Sequence, residues 1–154
     1  MKKIYVGSDH AGFKLKERIK LWLVRNKIAY EDLGNFKFDK KDDYPDYAAI
    51  VAKRVVKEKT QGILLCGSAE GVCIAANKVK GTRAVNPYDV IKTKFSRAHE
   101  DANILCLAGG ETRIPQPGMS LIKSTKIITT FLNTPFSGAK RHIRRLNKIK
   151  KMES

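Results

Sequence analysis

No stretch of this chain approaches the roughly 18 consecutive apolar residues that a membrane span needs. Its start, Met1-Lys2-Lys3-Ile4-Tyr5-Val6-Gly7, runs into Asp9 and His10 before a signal-peptide core can form. A soluble, cytoplasmic protein is expected. Cysteine is scarce and unpaired: Cys66, Cys73 and Cys106 are odd in number and lack zinc-ribbon or redox-motif spacing. That excludes a disulfide framework and a metal knuckle, and the three read as reduced thiols. Aromatic residues make up only 8%, no internal repeat is present, and no nucleic-acid motif appears. Acidic residues are few, 15 against 31 Lys and Arg, for a net charge of +16. Such a field draws anions from phosphorylated metabolites to RNA without choosing among them. Nucleic acid is the less favoured partner, because the lysines are spread along the chain and the only low-complexity feature is the basic tail from Lys140 to Lys151.

What is present is one domain's worth of chain, 154 residues with 42% hydrophobic, expected as a single unit over residues 1–154. Lys3 to Ser8 is a short apolar run, followed by Phe13, Leu15, Ile19, Trp22 and Leu23 at helical spacing. Ile28 to Leu33 reads as a second strand, Lys37 to Asp43 as a polar loop, and Ala48, Val51, Ala52, Val55 and Val56 as a helix face. Gly62 to Cys66 is a continuous apolar run typical of a strand buried on both faces. Thr82 to Val85 and Asn103 to Ala108 supply two more strands around a helix from about Tyr88 to His99, and Ser120 to Leu132 reads as a late amphipathic helix. Alternation of this kind predicts a Rossmann-like three-layer α/β domain: a five-stranded parallel sheet, with a basic helix at the C-terminus.

In such a sheet ligands bind beyond the carboxyl ends of the strands. Asp9 and His10 follow the first strand, and Cys66 with Gly67-Ser68-Ala69-Glu70-Gly71 follows the third. Backbone amides of a glycine-bearing turn at a helix start form a cup of donors for a phosphate or an oxyanion. A cysteine touching that cup is expected to have its thiolate favoured, whereas Cys73 and Cys106 read as small buried hydrophobes. His10 and His99 are both placed at the active end, where an imidazole can meet phosphate or carry a proton. Arg141 and Arg145, four apart on a helix, project from one face and can grip a phosphate together, although a solvated basic face would look the same.

These residues sit in motifs that resemble the B-type ribose-5-phosphate isomerases and the related galactose-6-phosphate isomerases. The motifs are GSDHAGFKLK at Gly7 to Lys16, DYPDYA at Asp43 to Ala48, and GILLCGSAEGVCIAANKVKGTRA at Gly62 to Ala84. RAHEDANIL at Arg97 to Leu105 and FSGAKRHIRRLNKI at Phe136 to Ile149 complete the set. The resemblance covers nearly the whole chain. It implies an aldose–ketose isomerase that needs no metal, nucleotide or other cofactor, with Cys66 as the base and His99 helping to open the sugar ring. Phosphate would be held by His10, Arg141 and Arg145, with Arg113 a weaker candidate. Asp9 and Tyr44 would line the sugar, Ser68 would shuttle protons between its oxygens, and Gly67 to Gly71 would steady the enediolate.

The resemblance also implies a homodimer, or a dimer of dimers, whose arginines reach into the neighbouring site, so the tail over 140–154 is expected to pack on a partner. Some family members carry a glutamate base instead, but Val72 occupies that position here. Departures are Glu100, where asparagine is common, the Ala69-Glu70 pair in the cup, and the loop from Gly109 to Gly118. A carboxylate at Glu70 or Glu100 opposes an anionic substrate unless it points away or is paired. Ribose 5-phosphate and ribulose 5-phosphate are the expected pair. A six-carbon sugar phosphate, of the galactose or allose type, and a non-catalytic sugar-phosphate binder are the alternatives.

Overall fold

The computed structural model describes residues 2–110 and 117–153. In chain order the elements are β1 (Ile4–Ser8), α1 (His10–Arg25), β2 (Tyr30–Asp32), α2 (Tyr44–Glu58), β3 (Gly62–Cys66) and α3 (Glu70–Ala76). They continue as β4 (Ala84–Val85), α4 (Val90–Glu100), β5 (Ile104–Ala108), α5 (Leu121–Asn133) and α6 (Lys140–Met152). The strands form one sheet in the order β2-β1-β3-β5-β4, and every pairing is parallel. The expected five-stranded α/β sheet is therefore present. Among the described residues no helix is long and apolar enough to cross a membrane.

The central strands β1, β3 and β5 are buried on both faces, and their successive side chains divide between two cores. From β3, Ile63 and Leu65 join Leu15, Ile19 and Leu23 of α1 and Ile127, Ile128 and Phe131 of α5. Leu64 and Cys66 join Val51 and Val55 of α2 and Val72 and Ala76 of α3 on the other face. Gly12 lets α1 approach β3 closely, since a Cβ there would lie 2.6 Å from the Leu65 carbonyl carbon. The chain leaves β1 toward β2 on one side and returns across it to β3. The carboxyl ends of β1 and β3 thus flank the point where the winding reverses, which is where open sheets of this kind bind ligands.

Several boundaries are tighter than periodicity predicts, for identifiable reasons. The fourth strand begins at Ala84 because Thr82 N–H turns back to the Val79 carbonyl and Arg83 N–H is taken by the Asn103 side chain. The following helix begins at Val90 because Asp89 caps it, accepting from Lys92 N–H at 2.7 Å. Helix α6 is only loosely seated on its own chain. His142 is its one buried residue among those described, while Ile143, Ile149 and Met152 are exposed.

Candidate active site

Cys66 ends β3 and is 4% exposed. The amides of Val72, Ala69 and Ser68 point at its sulfur, so the donor cup exists. Ala69, at φ 70°, adopts the left-handed conformation that aims these groups inward. The expected thiolate preference is nevertheless corrected. Burial pushes the Cys66 thiol above its ordinary value, the charge of Asp9 adds to that, and the three amides offset it only in part. The floor of the cup is tied to the neighbouring strand: Gly109 N–H donates to the Cys66 carbonyl at 2.8 Å and Gly110 N–H to the Gly67 carbonyl at 2.9 Å.

Around this thiol the structure gathers most of the residues expected at the loop end. Asp9 caps α1, accepting from Gly12 N–H at 3.0 Å, and burial raises its carboxyl. The Tyr44 ring lies on Gly71 so closely that a Cβ at Gly71 would stand 2.8 Å from the ring. Ser68 Oγ accepts from Glu70 N–H at 3.3 Å, closing the turn. The Glu70 carboxylate accepts from the Asn86 amide at 2.9 Å, a neutral partner.

His10 opens α1, and its ring is fixed by a residue that sequence reasoning missed. Asp42 Oδ1 lies 2.6 Å from His10 Nδ1 and accepts the His10 backbone N–H at 3.0 Å. Asp42 carried no signal because it sits in the charge run Asp39-Lys40-Lys41-Asp42-Asp43, with no periodicity to single it out. Lys16 was missed as well. It is fully buried, with Nζ held by both Asp32 oxygens at 2.7 and 2.8 Å and by the Asn35 carbonyl at 2.6 Å. Asp9, His10 and Asp42 place three ligand atoms within 4.8 Å of one another. Two of these atoms already bond to each other, so a cation would have to displace that hydrogen bond.

His99 is elsewhere, which corrects its expected placement. Helix α4 runs back against the strand direction, and Asn103, just beyond it, bonds to Gly62 N–H at the start of β3. The register pairs Gly62 with Ile104 and Cys66 with Ala108, so His99, just before β5, lies toward the starting ends of the strands whereas Cys66 lies at the carboxyl end. There it stacks between Phe95 and the third histidine, His142, at ring distances of 5.1 and 4.3 Å. His142, also missed, accepts from Arg141 Nε at 3.1 Å through Nε2 and meets Ser137 Oγ at 2.7 Å through Nδ1. A guanidinium only donates, so His142 is neutral with its proton on Nδ1. Desolvation and the neighbouring His99, Arg141 and Arg145 push it below its ordinary value, against the opposing charge of Glu100. Glu100 borders the same groove as His99, Phe95 and Tyr88. Arg113 lies outside the described residues.

One chain thus carries two clusters: Cys66, Asp9, His10 and Tyr44 at the carboxyl end of the sheet, and His99, Glu100, Arg141 and Arg145 where α4 meets α6. Residues 4–149 match the family model described as Ribose/Galactose Isomerase. The Mycoplasma pneumoniae protein named "probable ribose-5-phosphate isomerase B" is 40% identical over 147 residues, 95% of this chain and 91% of that one. The Clostridium thermocellum ribose-5-phosphate isomerase B structure superposes with a TM-score of 0.89 at 36% identity, covering 99% of this chain and 97% of the other. The Mycoplasma genitalium enzyme of that name, solved with bound ribulose-5-phosphate, gives 0.88 at 39% identity over 98% and 95%. With the fold matched from end to end and the cysteine cup in place, this chain belongs to the ribose/galactose isomerase family.

Proposed function

We propose that this chain is an aldose–ketose isomerase that interconverts ribose 5-phosphate and ribulose 5-phosphate, and that it works as a homodimer with shared sites. The observation that carries the chemistry is a buried thiol facing the amides of Ser68, Ala69 and Val72 at the end of a central strand. As a thiolate, Cys66 takes the proton from C2 of the open-chain aldose. The electron pair moves into an enediolate, and the oxygen that gains charge meets the amide donors of the cup, each worth about 3–4 kcal/mol at such a position. Ser68 passes a proton between the two sugar oxygens, and the Cys66 thiol returns its proton to C1 to give the ketose. Asp9 and Tyr44 border the sugar, and His10 meets the phosphate.

His99, Arg141 and Arg145 serve the site of the partner in this reading. His99 packs on His142, which accepts from Arg141, so His99 and Arg141 lie together on the face that would meet a second copy. Exposed Tyr88, Ile91 and Phe95 on and before α4, with the loosely held α6, supply an apolar surface for a second copy. Residues 140–154 are the part that would pack on it. The free thiols of all three cysteines fit a reducing, cytoplasmic setting.

The test is direct assay of ribulose 5-phosphate formation from ribose 5-phosphate by the wild type and by Cys66→Ala. Turnover in the wild type and its near-complete loss in the variant is the expected result. Retention of activity by Cys66→Ala removes the cysteine mechanism. An active wild type with a strong preference for a six-carbon sugar phosphate would move the substrate and leave the mechanism.

A further inference from the structure

We propose that Asp42 is a positioning residue that locks the His10 imidazole with a proton on Nδ1, so that Nε2 is the nitrogen presented to the sugar phosphate. The inference rests on the reading of His10 as a phosphate ligand and goes beyond it by assigning the group that makes it one. Both Asp42 oxygens receive N–H donors: Oδ1 from the His10 backbone at 3.0 Å, and Oδ2 from Asn35 Nδ2 at 2.7 Å. As a carboxylate, Asp42 only accepts, so His10 Nδ1, 2.6 Å from Oδ1, is the donor in this pair. The Asp42 side chain is 6% exposed and that of His10 32%, so the carboxylate is the enclosed partner and the ring the one that faces out.

The carboxylate is itself held. Asn35 is buried, its N–H donates to the Ser8 carbonyl at 2.8 Å, and its carbonyl accepts from Lys16 Nζ at 2.6 Å. Phe38 packs edge-on against the His10 ring at 6.4 Å. The loop between β2 and α2 therefore grips His10 from two sides. When Nε2 is protonated too, the ring becomes a charge-assisted donor to phosphate, with Asp42 balancing its charge.

The test compares wild type, His10→Asn, Asp42→Asn and the double variant for kcat, KM and competitive inhibition by inorganic phosphate. Each single change is expected to raise KM and weaken phosphate inhibition about 10-fold, with kcat less affected. The double variant is expected to be no worse than His10→Asn alone. Additive effects, or an unchanged KM in Asp42→Asn beside a raised one in His10→Asn, would overturn the proposal. An unchanged KM in His10→Asn overturns the phosphate role of His10 and the proposal with it. Nitrogen NMR of the wild type, with His10 assigned by its loss in His10→Asn, decides without relying on an Asp42 variant that folds. A protonated Nδ1 is expected, and an unprotonated one sinks the idea.

Discussion

Cys66 stands where two effects of opposite sign meet, and their balance was not legible from spacing. Position at a strand end beside a glycine turn singled out this sulfur and predicted amides around it, and the structure places those amides there. The cost of enclosing a charge among Val72, Ala69 and Cys106 depends on packing that no local pattern encodes. Asp9 adds to that cost, and this makes its contribution measurable. Its negative charge opposes the thiolate, so Asp9→Asn should lower the pH at which Cys66 ionises. Site-resolved alkylation of Cys66 against pH measures this directly. The inflection is expected above the ordinary thiol range in the wild type and lower in the variant. An inflection that stays put or rises would mean that Asp9 does not act on the sulfur through its charge.

At the scale of elements, the sequence pattern recovered the strands and helices but not the direction in which one helix delivers its residues. His99 was expected at the active end because it closes a helix. In a parallel sheet the helix between two strands carries its last turn back to the strand starts. Lys16 was illegible for a similar reason: helical spacing places it beside the apolar stripe, and only the approach of β2 encloses it against Asp32. Burial pushes the Asp32 carboxyl up, but hydrogen bonds from Lys16, Lys20 and Gly34 N–H outweigh it and hold it below the usual carboxylate range. The stability this provides is full above the ordinary carboxylate pKa and fades as pH falls through the lowered value. Asp32→Asn should therefore cost about 3–5 kcal/mol at neutral pH, the effect of breaking a buried pair. In urea unfolding the gap to wild type should shrink in acid, and a gap independent of pH would contradict the assignment. The contact of α3 with α2 yields a separate expectation. Gly71→Ala adds a methyl where the Tyr44 ring now lies, so the protein should fold normally while kcat/KM falls about 10- to 100-fold through a misplaced sugar wall. An unchanged kcat/KM would remove Tyr44 from the site.

For the whole molecule, the separation of Cys66 from the His99 and Arg141 cluster governs what one copy can do. In a dimer with shared sites, Cys66→Ala and His99→Asn are each inactive in both sites, yet a mixed dimer joins the intact Cys66 of one to the intact His99 of the other. Refolding equal amounts together makes about half of the dimers mixed, each with one working site, and should restore about a quarter of wild-type activity. Failure to restore any activity in verified mixed dimers would place both residues in one chain's own site. The positive charge that first pointed to anionic partners belongs to this scale too, because much of it lies on α6, which has few contacts within its own chain. One local detail bears on what lies beneath Cys66. The carbonyls of Cys66 and Gly67 are bonded to Gly109 and Gly110, which extends the ladder of the sheet past its last strand residue and beneath the Cys66 thiol. The floor under Cys66 is thus strand backbone rather than loop, and under the proposed reaction a sugar lying over the sulfur would rest on the sheet itself.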